Sequence, residues 1–473
     1  MNHVWIENGI SAKAVNDFFA KQKTLGNEIH CLEIYEKGNT VVRISQHPYS
    51  PDEKREVYSL SKTFTSTSIG VAIDNGLLDI NERIIDIFPD KCPENISENL
   101  EKMTIKHLLS MNTGHATCVM SKMSPSSDCA KAFLEQQVKF EPGTHFVYNT
   151  GATCMLGAII QKRTGMSLID YAYKNILSPL GIEGTYWSTV KDGTNEAGTG
   201  IHISCDDILK LGIMYLNKGV YDGKRIVSEK WVDEASLPHS DNGGNGTPDW
   251  CSGYGYQMWI NSRDGYRGDG AFGQLCMILP KYDAVVAVMA NCMNSMQLEV
   301  DGVVELVENL HGDGGNIENL GFAAIEKCDV PNFPFLNKTF RLDSNDIGFE
   351  KVSVKYKNDA LSLVFYDGKA EQVILAGNGE YCESSYNAKW RMPKILGLMR
   401  TDYVEQIKCA SCFTAKEDGI DVFVRFLNSP NAETIKITCE NNRLNIDFYN
   451  EADRTMLYEN VRKLTGCLDC EKE

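Results

Sequence analysis

Two residues three positions apart, Ser59 and Lys62, have the types and the spacing for acyl-transfer chemistry. A serine hydroxyl is a poor nucleophile at neutral pH unless a nearby base takes its proton. A lysine amine can be that base where burial or a neighbouring cation keeps it neutral. From Ser59 to Asp74 the chain has no proline, and Gly70 is its one internal helix breaker. Leu60, Phe64, Val71 and Ile73 suit one buried side of a helix, and Asn75-Gly76 supplies the stop. On that helix the two side chains share a face, one turn apart. Ser59 falls at the N-terminus, where negative charge is stabilised. The motif is short and common, and an N-cap serine followed by a solvated lysine has the same spacing. The rest of the chain has to decide.

The elements that must position this pair are legible on both sides of it. Residues 11–23 have the pattern of an amphipathic helix. Residues 30–35 and 40–44 alternate around Glu36-Lys37-Gly38-Asn39 and predict a β-hairpin. From 77 to 235 the pattern is mostly helical. Residues 104–111 form a short helix closed by Asn112-Thr113-Gly114, and residues 152–163 another, stopped at Thr164-Gly165. Ser204 and Asp207 resemble a capping box for a helix over 205–217. His107 and His115 have no obvious carboxylate partner and are read as structural. After the polar loop 240–248, strands are predicted at 255–260, 273–279 and 284–290, then a closing helix over 295–309. Strands at both ends of such a segment can pair into one sheet with the inserted helices against it. The expected fold class is therefore α+β: an antiparallel sheet with a helical insert over residues 1–312. A linker follows at 313–332. Short alternating runs at 352–356, 360–366, 419–426, 433–439 and 443–448 then predict a small all-β sandwich or barrel over 333–473.

Composition narrows the function classes. The chain has 473 residues, 42% hydrophobic and 23% charged, an ordinary globular balance with material for a large core. A net charge of −17 argues against nucleic acid and against an anionic membrane surface as partners. The N-terminal residues lack the basic-then-apolar pattern of an export signal, and no apolar run is long enough to span a bilayer. The sixteen cysteines form no dense framework and read as reduced, mostly buried thiols, so the expected location is the cytoplasm. Cys409/Cys412 and Cys467/Cys470 have C-x-x-C spacing, but the pairs lie too far apart for a usual zinc ribbon and are read as incidental. No metal and no cofactor is expected.

Five stretches in order resemble the serine β-lactamase and penicillin-recognising hydrolase family, in its class C, D-alanyl-D-alanine carboxypeptidase and esterase branch. They are Ser59-Leu60-Ser61-Lys62, the run from Met103 to His115, Tyr148-Asn149-Thr150-Gly151, the loop Gly198 to Asp207, and Gly268-Asp269-Gly270-Ala271. The likeness covers roughly residues 29–310; 330–473 lies outside it, although related hydrolases often carry a C-terminal β domain. The resemblance implies that Ser59 forms an acyl-enzyme and that Lys62 takes its proton or holds the local charge. Tyr148 would relay the proton to the leaving group, as a phenol can if neighbouring cations lower its pKa. The oxyanion hole would be the backbone N–H groups of Ser59 and Ala271. Asn149, Thr150, Gly268, Asp269 and Gly270 would line the substrate.

Two departures from the family pattern matter. Thr150 stands where the family has Asn, with Asn149 one position early; a hydroxyl lacks the amide's second polar group. Gly268 stands where lactamases and carboxypeptidases place a lysine that contacts the substrate carboxylate. Arg267 is adjacent, but neighbours on a strand face opposite ways. The expectation is a serine hydrolase of small esters, amides or D-amino-acid peptides. Tyr256, Trp259, Tyr266 and Phe272 could line an acyl pocket. The alternatives are β-lactamase or carboxypeptidase activity, or a penicillin-binding-like sensing module without turnover.

Overall fold

In the computed structural model, which describes residues 2–243, 246–312, 314–318, 320, 325–387, 406–450 and 462–469, strands from both ends of the first segment do meet. They are β1 (His3–Ile6), β2 (Glu28–Glu36), β3 (Asn39–Ser45), β4 (Trp259–Ile260), β5 (Tyr266–Gly270), β6 (Gln274–Leu279) and β7 (Ala284–Asn291). The sheet order is β1-β3-β2-β7-β6-β5-β4, antiparallel throughout. The hairpin β2–β3 thus pairs directly with the late strand β7, Ile34 opposite Val286.

The sheet is covered on both faces, which explains why β7 is apolar at every position but its last. Alternate residues serve different cores. Val285, Ala287 and Met289 join the helical insert, whereas Ala284, Val286, Val288 and Ala290 join α1 (Ala12–Thr24) and the closing helix over Met296–Glu308. Ser11 caps α1, its hydroxyl accepting from the Ala14 N–H.

The helix behind Ser59, α2 (Ser61–Asp74), departs from the expected amphipathic form: every residue from Ser61 to Ala72 is buried. Its hydroxyls face neighbours instead of water. Thr65 donates to the Ala197 carbonyl at 2.7 Å, Ser66 to that of Tyr256 at 2.7 Å, and Thr67 pairs with the Tyr215 hydroxyl at 2.8 Å. Small, satisfied polar side chains can therefore line a helix packed on all sides. Gly70 allows the closest approach, since a Cβ there would sit 2.5 Å from the Trp231 ring.

Among the other helices, α3 (Ile105–Leu109), α4 (Thr150–Thr164) and α5 (Cys205–Leu216) form where the patterns placed them. Gly165 ends α4 in the left-handed conformation, and Ser204 with Asp207 makes the capping box of α5. The strand expected over 255–260 shrinks to Trp259–Ile260. Gln257 takes a positive φ of 63°, which turns its amide inward to donate to the Leu108 and Leu109 carbonyls. His107 and His115 are structural: His107 Nδ1 accepts from the Thr104 N–H, and His115 is buried against Phe133.

The chain divides into two compact units, one over residues 2–320 and one holding the described residues beyond it. Parts of the expected linker (residues 313, 319 and 321–324) and of the polar loop (Gly244, Asn245) lie outside the described residues, as does Cys470. The second unit is all β, with ten strands: β8 (Lys338–Leu342), β9 (Lys351–Lys357), β10 (Ala360–Tyr366), β11 (Glu371–Asn378), β12 (Cys382–Asn387), β13 (Gln406–Ala415), β14 (Gly419–Phe426), β15 (Ala432–Glu440), β16 (Arg443–Asn450) and β17 (Arg462–Leu468). Their order is β11-β10-β9-β8-β17-β16-β15-β14-β13-β12, and a parallel pairing of β11 with β13 curls the sheet into a barrel-like form. One face of each alternating run fills a shared core: Leu361, Leu363 and Phe365, or Ile420, Val422, Val424 and Phe426. Cys409 and Cys412 both lie on β13, three residues apart and so on opposite faces. Among the described residues no cluster of side chains suits a metal ion.

Candidate active site

Ser59 sits in a short 3-10 turn, Tyr58–Leu60, that leads into α2. It is not an N-cap; its hydroxyl lies 3.0 Å from Lys62 Nζ. Tyr58, just before it, holds φ at 47°, an unusual conformation for a bulky side chain. Its ring meets Phe272 edge-on at 5.3 Å, and that contact helps to fix the turn.

Lys62 is 1% exposed. Besides Ser59, its Nζ lies 2.7 Å from the Gly198 carbonyl and 3.3 Å from Thr150 Oγ1. Burial pulls its pKa down to about 7, with Cys118 and Asp269 opposing. Glycine at 198 lets the backbone come this near, since a Cβ would fall 2.7 Å from Thr150 Cγ2 and 3.3 Å from Lys62 Nζ. Thr150 does contact Lys62 in the place where an amide was expected. Asn149 does not line the cleft: it is wholly buried as the N-cap of α4, its Oδ1 accepting from the Gly151 and Val119 N–H groups at 3.1 Å.

Tyr148 lies on the other side of the pair, its ring centroid 4.8 Å from Lys62 Nζ. Its hydroxyl shares a hydrogen bond with Ser59. The expectation that cations lower the pKa of this phenol is reversed. Burial, and then the Asp269 charge, raise it, so the group keeps its proton. Trp259 stacks on the Tyr148 ring at 5.4 Å and donates its Nε1–H to Asp269 Oδ1 at 3.0 Å.

The strand β5 runs past this group. On one face Gly268 and Gly270 press against the Ser59 turn and α2. A Cβ at Gly268 would meet Thr63 Oγ1 at 2.3 Å, and one at Gly270 would meet the Val57 carbonyl at 2.0 Å. On the other face Arg267 and Asp269 form a buried ion pair at 3.1 Å. Arg267 also donates to Asn261 Oδ1 and to the Asp249 carbonyl, and lies over the Trp250 ring. Its Nε and Nη1 are engaged there, as its facing on the strand requires.

The turn Ala271-Phe272-Gly273 follows β5, with positive φ at Phe272 and Gly273. Gln274 Nε2 holds it from below, donating to the carbonyls of Ala271, Phe272 and Ala290. Gly273 lies over the Glu299 carboxyl, 2.4 Å from where a Cβ would be. Glu299 is buried enough to raise its pKa to about 8. Of the four aromatics expected at an acyl pocket, Trp259 and Phe272 border the site. Tyr256 is core, stacked on His239 and tilted against Trp231, and Tyr266 is core against Tyr215.

Sequence reasoning missed the Gly198 carbonyl, the coupling of Trp259 to Asp269, and Cys118. The Gly-Thr-Gly run at 198–200 was the one signal for the first; the others depend on contacts between distant segments.

Residues 31–306 match the Beta-lactamase family, more than half of the chain, and the protein belongs to that family. The chain is 22% identical over 272 residues to 6-aminohexanoate-dimer hydrolase of Paenarthrobacter ureafaciens, covering 51% of this chain and 67% of that protein. It is 30% identical over 142 residues to protein flp of Staphylococcus aureus, but this spans only 29% of the chain and 28% of flp. Among solved structures, a family VIII carboxylesterase superposes with a TM-score of 0.52 at 19% identity, covering 65% of this chain and 99% of that one. The octameric penicillin-binding protein homologue from Pyrococcus abyssi superposes with a TM-score of 0.51 at 16% identity, covering 96% and 99%. At these identities the two superpositions establish the fold.

Proposed function

We propose that the protein is a serine hydrolase that cleaves a small ester, amide or D-amino-acid peptide through an acyl-enzyme on Ser59. The observation that carries this is the set of contacts around Lys62 Nζ: Ser59 Oγ, Thr150 Oγ1 and the Gly198 carbonyl. A neutral amine has two N–H bonds and one lone pair. Two donations, to Gly198 and Thr150, leave the lone pair facing the serine hydroxyl. With a pKa near 7, the amine is free to act as a base.

In this reading Ser59 Oγ attacks the substrate carbonyl as its proton passes to Lys62. The oxyanion is held by the N–H groups of Ser59 and Ala271, the second on the turn braced by Gln274. Collapse breaks the bond to the leaving group, which takes the Tyr148 hydroxyl proton while Lys62 returns a proton to Tyr148. Water then enters by the same route in reverse and releases the acid. Arg267, the cation beside Gly268, is bound to Asp269 and is not free to meet a substrate carboxylate. This supports esters or amides over β-lactams. The names of a relative that hydrolyses an amide dimer and of a carboxylesterase with the same fold agree with that range. A cytoplasmic location is part of the proposal, supported by fifteen cysteines among the described residues that are thiols and not disulfides.

Intact mass spectrometry after exposure to a fluorophosphonate and, separately, to a penicillin tests the reading. The expected result is one phosphonate adduct, absent in Ser59→Ala, and no lasting penicillin adduct. A stable penicillin adduct would move the assignment to the carboxypeptidase side. Absence of both adducts would overturn the hydrolase reading.

A further inference from the structure

We infer that Asp269 sets the charge preference of the cleft, so that substrates with a cationic group on the leaving side are favoured and those with a carboxylate there are rejected. The inference rests on the hydrolase reading above and narrows its substrate class.

Three observations place the carboxylate in that role. The first is exposure along the strand. β4 pairs only with Tyr266 and Arg267, so among the described residues the edge from Gly268 to Gly270 has no strand beside it. A substrate lying along this edge passes Asp269 before it reaches the Ala271 turn. The second is order of depth. Arg267 is wholly buried, bonded to Asn261 and the Asp249 carbonyl and covered by Trp250, while Asp269 keeps 8% of its surface exposed. The carboxylate is therefore the more accessible end of the pair. The third is the field at the reacting groups. Asp269 acts on both Lys62 and Tyr148, whereas Arg267 acts on Tyr148 alone, and more weakly than Asp269 does. The pair has no net charge, but its negative end faces the chemistry.

Tyr148 supplies the leaving-group proton, and Trp259 joins its ring to Asp269. The side of the cleft under the Asp269 field is thus the leaving-group side. The position that in lactamases carries a lysine for a substrate carboxylate is Gly268, whose Cβ direction is closed by Thr63 Oγ1 at 2.3 Å. The residue after it brings the opposite charge.

The test uses butyryl esters that share one acyl group and differ in the alcohol: choline, its neutral isostere 3,3-dimethylbutanol, and glycolate. For the full-length protein the choline ester should exceed the isostere in kcat/KM by about 10-fold, and glycolate should fall below it by a similar factor. Asp269→Asn can still accept from Trp259 but leaves Arg267 unpaired. It should abolish the preference for choline and raise glycolate relative to the isostere by about 10-fold. The double variant Arg267→Met/Asp269→Asn removes both charges and should bring all three esters to within about 2-fold of one another. It also carries the test if circular dichroism shows the single variant unfolded. Trp259→Phe keeps the ring but loses the N–H; it should lower all three rates together and leave their ratios in place. A native protein that does not prefer choline, or ratios unchanged in the charge variants, overturns the inference. If the native protein turns over none of the esters, the phosphonate adduct at Ser59 separates the two cases: with the adduct present this inference alone is overturned, and with it absent the parent reading falls as well.

Discussion

A lysine in water keeps its proton to a pH of about 10, but Lys62, packed under α4 and the Gly198 carbonyl, holds it only to about 7. The sign of the effect follows. Below pH 7 the native amine is charged and cannot take the serine proton, so kcat/KM for a neutral ester should rise through about pH 7 and then level off. Tyr148 should add no falling limb below about pH 10, because burial and Asp269 raise its pKa rather than lower it. A pH–rate profile from 5 to 10 reads both. Tyr148→Phe should reduce kcat by about 100-fold with little change in KM, since the hydroxyl acts mainly when the leaving group departs. The same buried amine affects stability. Between about pH 7 and 10 the unfolded lysine binds a proton that the native one does not, so this group's contribution to stability rises with pH over that window. At this scale the sequence pointed to Ser59, Lys62 and Tyr148, which the structure brings together, and also to Asn149, which is buried as the cap of α4. A side chain one residue from the start of a helix either caps it or faces outward, and only the packing of Val119 and Gly151 against it settled which.

The strand β5 and the turn before α2 act as one element. Gly268 and Gly270 have no side chain because the Ser59 turn and α2 occupy that space, and in the proposed mechanism this contact sets the position of the Ala271 N–H. Gly270→Ala would drive a methyl into the Val57 carbonyl, 2.0 Å from its ideal position. It should cost about 1–3 kcal/mol of stability. Its larger effect should be on kcat, by about 100-fold or more, through displacement of the oxyanion donor. Thermal unfolding and ester kinetics on the one variant compare the two losses; full activity would show that the strand can shift without harm to the site. The helix α2 gives the other lesson at this scale. Its serines and threonines are all buried, and Thr65, Ser66 and Thr67 find partners on Ala197, Tyr256 and Tyr215. Periodicity records polarity, not whether a distant carbonyl satisfies it.

At the scale of the whole molecule, the described residues form two units with separate cores. Phe413 is wholly buried in the barrel-like unit, where Tyr356 meets it edge-on. Phe413→Ala should cost that unit about 3–5 kcal/mol. Scanning calorimetry should then show one transition moved down and the other left in place; a single transition that shifts as a whole would mean that the two cores unfold together. The strands of this unit were half legible. Runs such as Ala360–Tyr366 alternate cleanly, whereas β13 carries Cys409, Ala410, Ser411 and Cys412 and shows no period, because residues on both of its faces are buried.

The sequence by itself determined the class of chemistry and the order of the parts: a serine and a lysine one turn apart, a tyrosine before a helix, a glycine-rich strand, and β-strands at both ends of a helical insert. Those are local patterns, and spacing along one chain is enough to express them. The tertiary structure alone decided the charge states and the facing of the groups. Lys62 has a lowered pKa because segments distant in the chain, Gly198 and Thr150 among them, bury it; Arg267 is not free to stand in for a missing lysine because Asp269, Asn261 and Trp250 hold it on the far face of β5. Desolvation and hydrogen bonding depend on what lies within a few ångströms, and most of those neighbours lie far away along the chain.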